Sequence, residues 1–533
     1  MALLFCTNHG FLIGYSHARL MAGLLFPVMI GIMTGCRDAG SRQAALEEPT
    51  QPVGRLVSST TNNEIVAFCG NCHPMPHPED FPRQAWRDEV RRGYDFYYAS
   101  GRTDLTVPIQ ADVLDYFASR APEYLTLADA ESVDPAWVER FTRLEITIPG
   151  VDKASVSFVA AIDAGVPLGQ GIVFTDMHGG GVYFVKISAD GEPGSPLEIG
   201  NAGHPAAVRV CDWDQDGLTD FLVADLGSFL PADHNRGRVI WFQQRSDNPG
   251  EFQAHLLQDG IGRVASIEVA DFDGDGKQDL LVAEFGWQNT GSIFWLQRSA
   301  TGHPLEGLVK HTIDARAGTI HLPVVDLNGD GALDFIALIS QHHERIEAMI
   351  NDGQGRFHSE LIHAAPGPSY GSSGIELVDI SGSGRVDVLY TNGDSFDSFL
   401  LKPLHGVRWL ENRGSFPFHA HELGAMPGAH RAVVGDIDGD GRKEIVAGAF
   451  IPHELLKAQR PHGAEALVVW KQIEPGKFSK HVLSHGNSNH ATLTVADLNG
   501  DGRDDLVVGN FHQSGSTLGP AVTLWITKGR AGD

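Results

Sequence analysis

Acidic side chains recur in this sequence in nine-residue segments that follow one pattern. Oxygen-bearing residues stand at positions 1, 3, 5 and 9, and a glycine stands at position 6. When the chain turns at that glycine, the oxygens converge on one point, as the oxygen shell of Ca²⁺ requires. An EF-hand would need glutamate at position 12, where the first segment has Val223, so we expect these loops to join strands. The candidate ligands of about five calcium ions are Asp212, Asp214, Asp216 and Asp220; Asp271, Asp273, Asp275 and Asp279; Asp326, Asn328, Asp330 and Asp334; Asp436, Asp438, Asp440 and Glu444; and Asp497, Asn499, Asp501 and Asp505.

A sixth segment of this kind, Asp379 to Asp387, carries hydroxyls in place of two carboxylates. Ser381 and Ser383 stand at its positions 3 and 5. Because Ca²⁺ affinity depends on the number of charged ligands, we expect this loop to bind the ion weakly or not at all.

A different chemistry is indicated by the segment Cys69-Gly-Asn-Cys72-His73. Two thiols one helical turn apart can reach the two vinyl groups of a haem, and the adjoining imidazole can ligate its iron. A zinc site would need a second pair of ligands nearby, and a thioredoxin-like redox pair would need a βαβ setting. The sequence has neither, so it predicts one covalent haem c held by Cys69, Cys72 and His73, with His73 as the iron ligand.

The second axial position of that iron is left open by the sequence. No methionine occurs between Met75 and Met177, and His77 follows His73 too closely to reach the opposite haem face. The iron is therefore either five-coordinate, which we favour, or ligated by a residue from elsewhere in the chain. The candidates for a sixth ligand are Tyr94, Tyr97, Met177 and His178.

The spacing of the acidic segments indicates the elements that position them. Their first aspartates stand at 212, 271, 326, 379, 436 and 497. Each repeat contains an apolar strand, the acidic loop, a second apolar strand, a polar loop and a third strand. Repeats of this length are typical of β-propeller blades. Residues 150–533 then hold about seven blades, and the blade without an acidic loop lies at about 157–200.

These loops and strands resemble the FG-GAP/VCBS repeat family, whose members are similar to the calcium-loop propellers of integrin heads. The resemblance covers roughly residues 135–533 and depends on five complete acidic loops. It implies a mainly β fold, a seven-bladed β-propeller with calcium-binding blade loops, over residues 131–533.

Residues 63–130 are expected to form a small all-α domain before the propeller. Pro82 begins a helix with Trp86, Val90 and Tyr94 on one face, and a second helix follows at about 110–119. So short a domain buries little apolar surface, and we expect the haem to serve as its core. The domain resembles the monohaem cytochrome c domains that accompany such propellers in bacterial exported proteins.

Residues 1–36 have the features of an export signal. Arg19 precedes an apolar run, Leu20 to Met33, that is too short for a comfortable membrane span. The segment ending at Cys36 resembles a bacterial lipobox, which implies a lipidated cysteine and a lipid-anchored protein of the periplasm, outer membrane or cell surface. The alternative is an ordinary signal peptide with an incidental cysteine. Residues 37–62 then form a polar linker.

The net charge limits the kinds of partner, and Cys211 has a structural explanation. The net charge of −27 argues against a nucleic-acid partner, and many of the acidic groups lie in the candidate calcium loops. Cys211 lies in an apolar strand, where a buried free thiol is expected.

Histidines concentrate in segments expected on the propeller face opposite the acidic loops. Those that lead into blades lie near the central axis and could converge on a metal or an anionic ligand. The alternative is that they are solvated or stabilise turns. The histidines at blade starts are His204, His321, His430 and His490, and those in other loops are His234, His342, His343, His453 and His512.

Three functions remain open at this point. The favoured one is electron transfer by an exported cytochrome whose propeller binds a substrate or a redox partner protein. The second is an oxidoreductase with its active site on the histidine-rich face, passing electrons to haem. The third is an adhesion or glycan-binding module with haem as a sensor. Electron transfer requires a reversible haem potential. An oxidoreductase requires haem reduction that depends on the substrate. An adhesion module requires binding that does not depend on the redox state of the haem.

Overall fold

A computed structural model describes residues 59–528, apart from positions 249, 300–303, 306, 397, 461–462, 514 and 517. The expected export signal 1–36, its lipidation site Cys36 and most of the linker 37–62 lie outside the described residues. Within the described part of the chain, seven antiparallel sheets form a ring of blades, which confirms the mainly β, seven-bladed propeller.

Each blade uses its first strand on the inside of the ring and its fourth on the outside. Blade one holds β2 (Val156–Asp163), β3 (Gln170–Asp176), β4 (Gly181–Lys186) and β5 (Leu197–Asn201). Blade two holds β6 (Pro205–Cys211), β7 (Asp220–Asp225), β8 (Gly237–Gln244) and β9 (Phe252–Ile261). Blade three holds β10 (Val264–Ala270), β11 (Asp279–Glu284), β12 (Ser292–Gln297) and β13 (Val309–Asp314).

The inner strand of blade four is split in two. This blade holds β14 (Thr319–His321), β15 (Val324–Val325), β16 (Asp334–Ile339), β17 (Arg345–Asn351) and β18 (Phe357–Ala364). Blade five holds β19 (Gly374–Val378), β20 (Asp387–Thr391), β21 (Gly406–Glu411) and β22 (His419–Ala425). Blade six holds β23 (Ala429–Gly435), β24 (Glu444–Ala449), β25 (Glu465–Glu474) and β26 (Lys477–His485).

Blade seven joins the two ends of the propeller. It holds β27 (His490–Ala496), β28 (Asp505–Asn510), β29 (Val522–Thr527) and, as its outer strand, β1 (Phe141–Ile146). Strand β1 pairs with β29 from Phe141 opposite Thr527 to Ile146 opposite Val522. This pairing closes the ring, and the spacing of the repeats does not indicate it.

The second strand of blades two to seven is buried along its whole length, as in β7 and β11. Such strands are covered on both faces, which explains why the sequence shows continuous apolar runs after each acidic loop. Between blades two and three, for example, one core contains Trp213, Trp241 and Phe294.

The segment before the ring is helical, as expected. Trp86, Val90 and Tyr94 are buried on one face of the second helix, and the Trp86 ring stacks on Phe117 with centroids 4.0 Å apart. No helix in residues 59–528, as far as they are described, is long and apolar enough to cross a membrane. The helices are α1 (Ser59–Cys69), α2 (Trp86–Ala99) and α3 (Gln110–Ala118), with 3-10 turns at Pro78–Asp80 and Arg83–Ala85; α4 (Pro135–Val138), α5 (Gly165–Leu168) and α6 (His453–Gln459) are short helices of the propeller connections.

Candidate functional site

Three of the acidic loops bring carboxylates together on one face of the ring. In each, the acidic side chains at positions 1, 3 and 9 place one ligand atom apiece within 4.8 Å of one another. Three clustered carboxylates offer the hard oxygen donors that Ca²⁺ prefers, so the residues present fit such an ion. These acidic triads are Asp212, Asp214 and Asp220; Asp271, Asp273 and Asp279; and Asp436, Asp438 and Glu444.

The position-1 carboxylate organises the turn. The two carboxylate oxygens of Asp271 accept hydrogen bonds from the amides of Gly274 and Gly276, each at 2.8 Å. Both glycines have positive φ angles, 74° and 84°, which side chains with a Cβ rarely adopt. The spacing of the motif therefore follows from the curl of the loop around its first aspartate.

The position-9 carboxylate has a second role that the sequence did not reveal. Asp279 is fully buried and accepts the amides of Arg298 at 2.9 Å and Phe272 at 3.2 Å. Burial raises its pKa to about 7. The same two backbone contacts are made by Asp220, Asp334, Asp387 and Asp505. This residue therefore fastens the loop to the third strand of its blade as well as facing the candidate metal position.

The position-5 aspartates lie at the rim of the loops. Asp216, Asp275 and Asp440 are exposed and belong to none of the three triads. Each accepts a hydrogen bond from the amide two residues further on, as Asp275 does from Lys277 at 2.9 Å. Their predicted role as calcium ligands stays a prediction.

The remaining loops differ from the triads in their position-3 residue. Asn328 donates to Asp330 at 2.8 Å, and Asn499 stands at the same place in the last loop. Ser381 donates to Asp379 at 3.2 Å, so the serine-bearing loop uses its own hydroxyl to satisfy a carboxylate. The described residues thus give three acidic triads, and calcium at the loops starting at 326 and 497 stays a prediction.

A lysine ammonium contacts the acidic triad of blade six. The Lys471 ammonium donates to Asp438 and, at 3.0 Å, to Asp440. In the strand pairing, Lys471 corresponds to Gln243 and Gln297 of blades two and three, because each follows the residue paired with the second residue of the second strand. Those two neutral side chains donate to Asp214 and Asp273 at 2.5 Å. The triad of blade six is therefore contacted by a positively charged side chain, whereas the triads of blades two and three are contacted by neutral amides.

The Cys-x-x-Cys-His segment lies where α1 ends. Cys69 is half-buried at the last residue of the helix, and Cys72 is exposed three residues later. Arg102 donates to the Cys72 sulfur at 3.0 Å. The Nδ1 atom of His73 lies 2.9 Å from the carbonyl oxygen of Pro74.

These residues fit a covalent haem. With Nδ1 donating to a carbonyl, His73 keeps Nε2 free to ligate iron, an arrangement common among metal-bound histidines. Burial raises the pKa of the Cys69 thiol to about 11.

The four candidates for a sixth ligand lie in different surroundings, and their predicted role stays a prediction. The Tyr94 hydroxyl donates to the Pro108 carbonyl at 2.7 Å, and Tyr97 packs against Phe68 in the helical core. Met177 is fully buried in the central core, and His178 follows it in blade one. Blade one lies across the ring from blades four and five, which carry the helical region.

Three of the four histidines at blade starts form hydrogen bonds within their own blade or to a neighbouring one. His204 contacts the Met177 carbonyl at 3.0 Å, His430 the Ala491 carbonyl at 2.9 Å, and His490 the Asn510 side chain at 3.0 Å. Burial lowers the pKa of His430 to about 3 and that of His490 to about 4. These contacts favour the turn-stabilising interpretation over a shared ligand site.

Cys211 is the third free cysteine among the described residues. Cys211 is half-buried at the end of β6, and burial raises its pKa to about 12. It is therefore a free thiol in a blade, as the sequence predicted, although only half-buried.

Comparisons with known families match the repeats. The FG-GAP-like repeat family matches residues 212–282 and 326–390, and the FG-GAP repeat family matches residues 491–516. No curated protein matches the chain. The chain is thus similar to FG-GAP repeats over these ranges, which contain the acidic loops of five blades.

Proposed function

We propose that this propeller of FG-GAP repeats carries one c-type haem on its N-terminal helical region and acts as an exported electron-transfer protein. The observation that supports the proposal is the geometry of Cys69, Cys72 and His73, which offers two thiols and a free imidazole nitrogen around one helix end. A haem bound there supplies one-electron redox chemistry.

The chain's own residues have separate tasks in this proposal. Cys69 and Cys72 tether the group, and His73 is oriented by the Pro74 carbonyl. Arg102 sits beside Cys72 and is itself held by Asp104 at 2.6 Å. Phe68 and Tyr97 pack behind the motif and shield that side from water.

The calcium-binding part of the proposal concerns the acidic face. The three triads bind Ca²⁺, which stabilises the blades and leaves the opposite face for a redox partner protein or a small substrate. Export and a lipid anchor at Cys36 belong to the same proposal, because c-type haem is attached outside the cytoplasm.

Covalent attachment is the first test. The full chain is produced in cells that mature c-type cytochromes, and its intact mass and haem stain are measured after denaturation. We expect one haem per chain, lost in Cys69→Ser with Cys72→Ser and retained in Cys211→Ser, a matched control in blade two. A wild-type chain without covalent haem would refute the proposal.

Electron transfer itself is tested on the haem-loaded protein. We expect a reversible one-electron potential in solution voltammetry. A haem that is reduced only when a particular small substrate is added would instead support the oxidoreductase hypothesis.

A further inference from the structure

Behind two of the acidic triads, hydrogen bonds link the loop to the outer strand of its blade. In blade two the Gln243 amide nitrogen donates to Asp214 at 2.5 Å, and the Gln243 amide oxygen lies 3.0 Å from Nε2 of His255. Asp214 is the position-3 carboxylate of its triad, whereas His255 belongs to the fourth strand, β9. These contacts therefore lead from the candidate metal position, across the third strand, to the edge of the blade.

Blade three repeats this arrangement. The Gln297 amide nitrogen donates to Asp273 at 2.5 Å, and the Gln297 amide oxygen lies 2.9 Å from Nε2 of His311. In both blades the histidine pairs with a third-strand tryptophan, Trp241 or Trp295, and the ring centroids lie 4.8 Å and 4.7 Å apart. Because two separate segments of the chain form the same contacts, the arrangement belongs to the repeat and not to one loop.

The direction of each hydrogen bond follows from the groups involved. An ionised carboxylate only accepts, so the glutamine turns its amide nitrogen to the aspartate. The amide oxygen then faces the histidine, and Nε2 donates to it. A glutamine held at both ends keeps one orientation, and it holds the carboxylate that it contacts. Since the glutamine is neutral, the aspartate keeps its whole charge for a cation.

Across the six loops, the residue at this third-strand position follows the residue at position 3. Where position 3 is an aspartate, the strand supplies a hydrogen-bond donor, and where position 3 is asparagine or serine, the strand supplies isoleucine or glutamate. The pairs, in blade order, are Asp214 with Gln243, Asp273 with Gln297, Asn328 with Ile350, Ser381 with Glu411, Asp438 with Lys471, and Asn499 with Ile526. A donor at this position therefore accompanies the acidic triads.

One buried oxygen in the triad of blade six points independently to a cation. Glu444 is fully buried, and its Oε2 accepts the amide of Ile437 at 3.0 Å. Its Oε1 is also buried and has no hydrogen-bond partner among the described residues. A buried carboxylate oxygen without a partner is costly. A divalent cation held together with Asp436 and Asp438 would satisfy it.

We infer that the pairs Gln243–His255 and Gln297–His311 position the Ca²⁺ ligands of blades two and three. This inference rests on the proposed binding of Ca²⁺ by the triads and does not depend on haem attachment. The glutamine holds the position-3 carboxylate in the orientation that ligation requires, and the histidine holds the glutamine. Both act through the aspartate and are not themselves ligands. Loss of such an outer partner lowers metal affinity about 10–100-fold.

The test is calorimetric titration of Ca²⁺ into the full-length, calcium-free protein. Gln243→Ile, which introduces the residue type of blades four and seven, should weaken one site about 10–100-fold, and its combination with Gln297→Ile should weaken two. His255→Phe keeps a ring against Trp241 but removes the donor, so it should weaken the same single site. The matched control is His358→Phe, at an exposed histidine in the fourth strand of blade four, which should change no affinity.

Two further measurements separate positioning from a folding defect. His255→Phe should keep the wild-type circular dichroism spectrum in excess chelator. His255→Gln keeps an N–H donor and should bind Ca²⁺ as the wild type does. Wild-type affinity in both Gln243→Ile and His255→Phe would overturn the inference and leave calcium binding standing, and so would equal weakening by His358→Phe. A wild-type chain that binds no Ca²⁺ would overturn both.

Discussion

At the scale of single residues, one carboxylate can serve both the fold and a metal. Asp279 faces the triad of blade three and also accepts two buried backbone amides. Asp275, in the same loop, is exposed and lies outside the triad. The two side chains look alike in the sequence motif, and only their depth in the blade distinguishes them.

This difference predicts how two conservative substitutions behave. Asp279→Asn turns an N–H group toward a buried backbone N–H, and an unsatisfied buried donor costs about 1–3 kcal/mol. We expect it to lower the melting temperature even in excess chelator. Asp275→Asn is the control and should leave the melting temperature in chelator unchanged. Equal melting of both variants in chelator would contradict the structural role of Asp279.

Lys471 is a second residue that affects a candidate metal site, because its ammonium lies where blades two and three have neutral glutamines. An ammonium paired with Asp438 competes with a divalent cation for the same charge.

We therefore expect Lys471→Gln to strengthen Ca²⁺ binding in blade six about tenfold, or ~1.4 kcal/mol. The converse change, Gln243→Lys, should weaken binding in blade two. Calorimetric titration of calcium-free protein measures both. No change of affinity in either variant would show that these side chains do not compete with the ion.

At the scale of elements, ring closure is the main feature that the repeats do not reveal. The inner three strands of blade seven come from the end of the chain, whereas β1 comes from the segment after the helices. Phe141 of β1 is buried and its ring meets Trp525 edge-on, with centroids 5.7 Å apart. The closure therefore depends on apolar contacts as well as on strand pairing.

Truncation of this side chain should weaken the whole ring. Phe141→Ala removes a buried aromatic ring, a change that costs about 3–5 kcal/mol. We expect a lower denaturation midpoint for the entire propeller, measured by intrinsic fluorescence in urea. Thr142→Ala, at the exposed neighbour in the same strand, is the control and should change little. A midpoint that Phe141→Ala does not move would mean that β1 is not needed to close the ring.

Local patterns account for what the sequence could predict. The acidic loops, the seven blades and the helices that carry Trp86 and Phe117 all follow from residues close together in the chain. The partner of β1, the ammonium of Lys471 and the packing of Leu400 against the helices all depend on contacts between distant segments. The spacing of residues in one sequence does not show which distant segments meet, so only the structure reveals these features.

At the scale of the whole molecule, the two candidate sites lie on opposite faces of the ring. The acidic triads occupy one face, and the helical region with Cys69 and Cys72 docks on the other. A metal ion bound at the triads would therefore be separated from the Cys-x-x-Cys-His segment by the blades between them. The net charge of −27 is the other property of the whole molecule, since it disfavours the ion-free state through self-repulsion.

Removal of calcium should consequently destabilise the ring. An ion that binds only the folded state contributes ~2.7 kcal/mol per site at a hundredfold excess over Kd. We expect excess chelator to lower the melting temperature of the wild type clearly, and added Ca²⁺ to restore it. Elemental analysis of the purified protein gives the number of ions. An unchanged melting curve together with no bound metal would refute calcium binding.

The docking of the helical region gives the last prediction. Leu400 packs against the helical core, and an aspartate there would place a charge in an apolar contact, which is unfavourable without a partner. We expect Leu400→Asp to detach the helices from blade five, so that small-angle scattering gives a larger radius of gyration and proteases cut between residues 119 and 133. The control is Leu230→Asp, in a loop of blade two on the same face, where the side chain is 58% exposed. A compact, protease-resistant variant would show that other contacts hold the helical region on the ring.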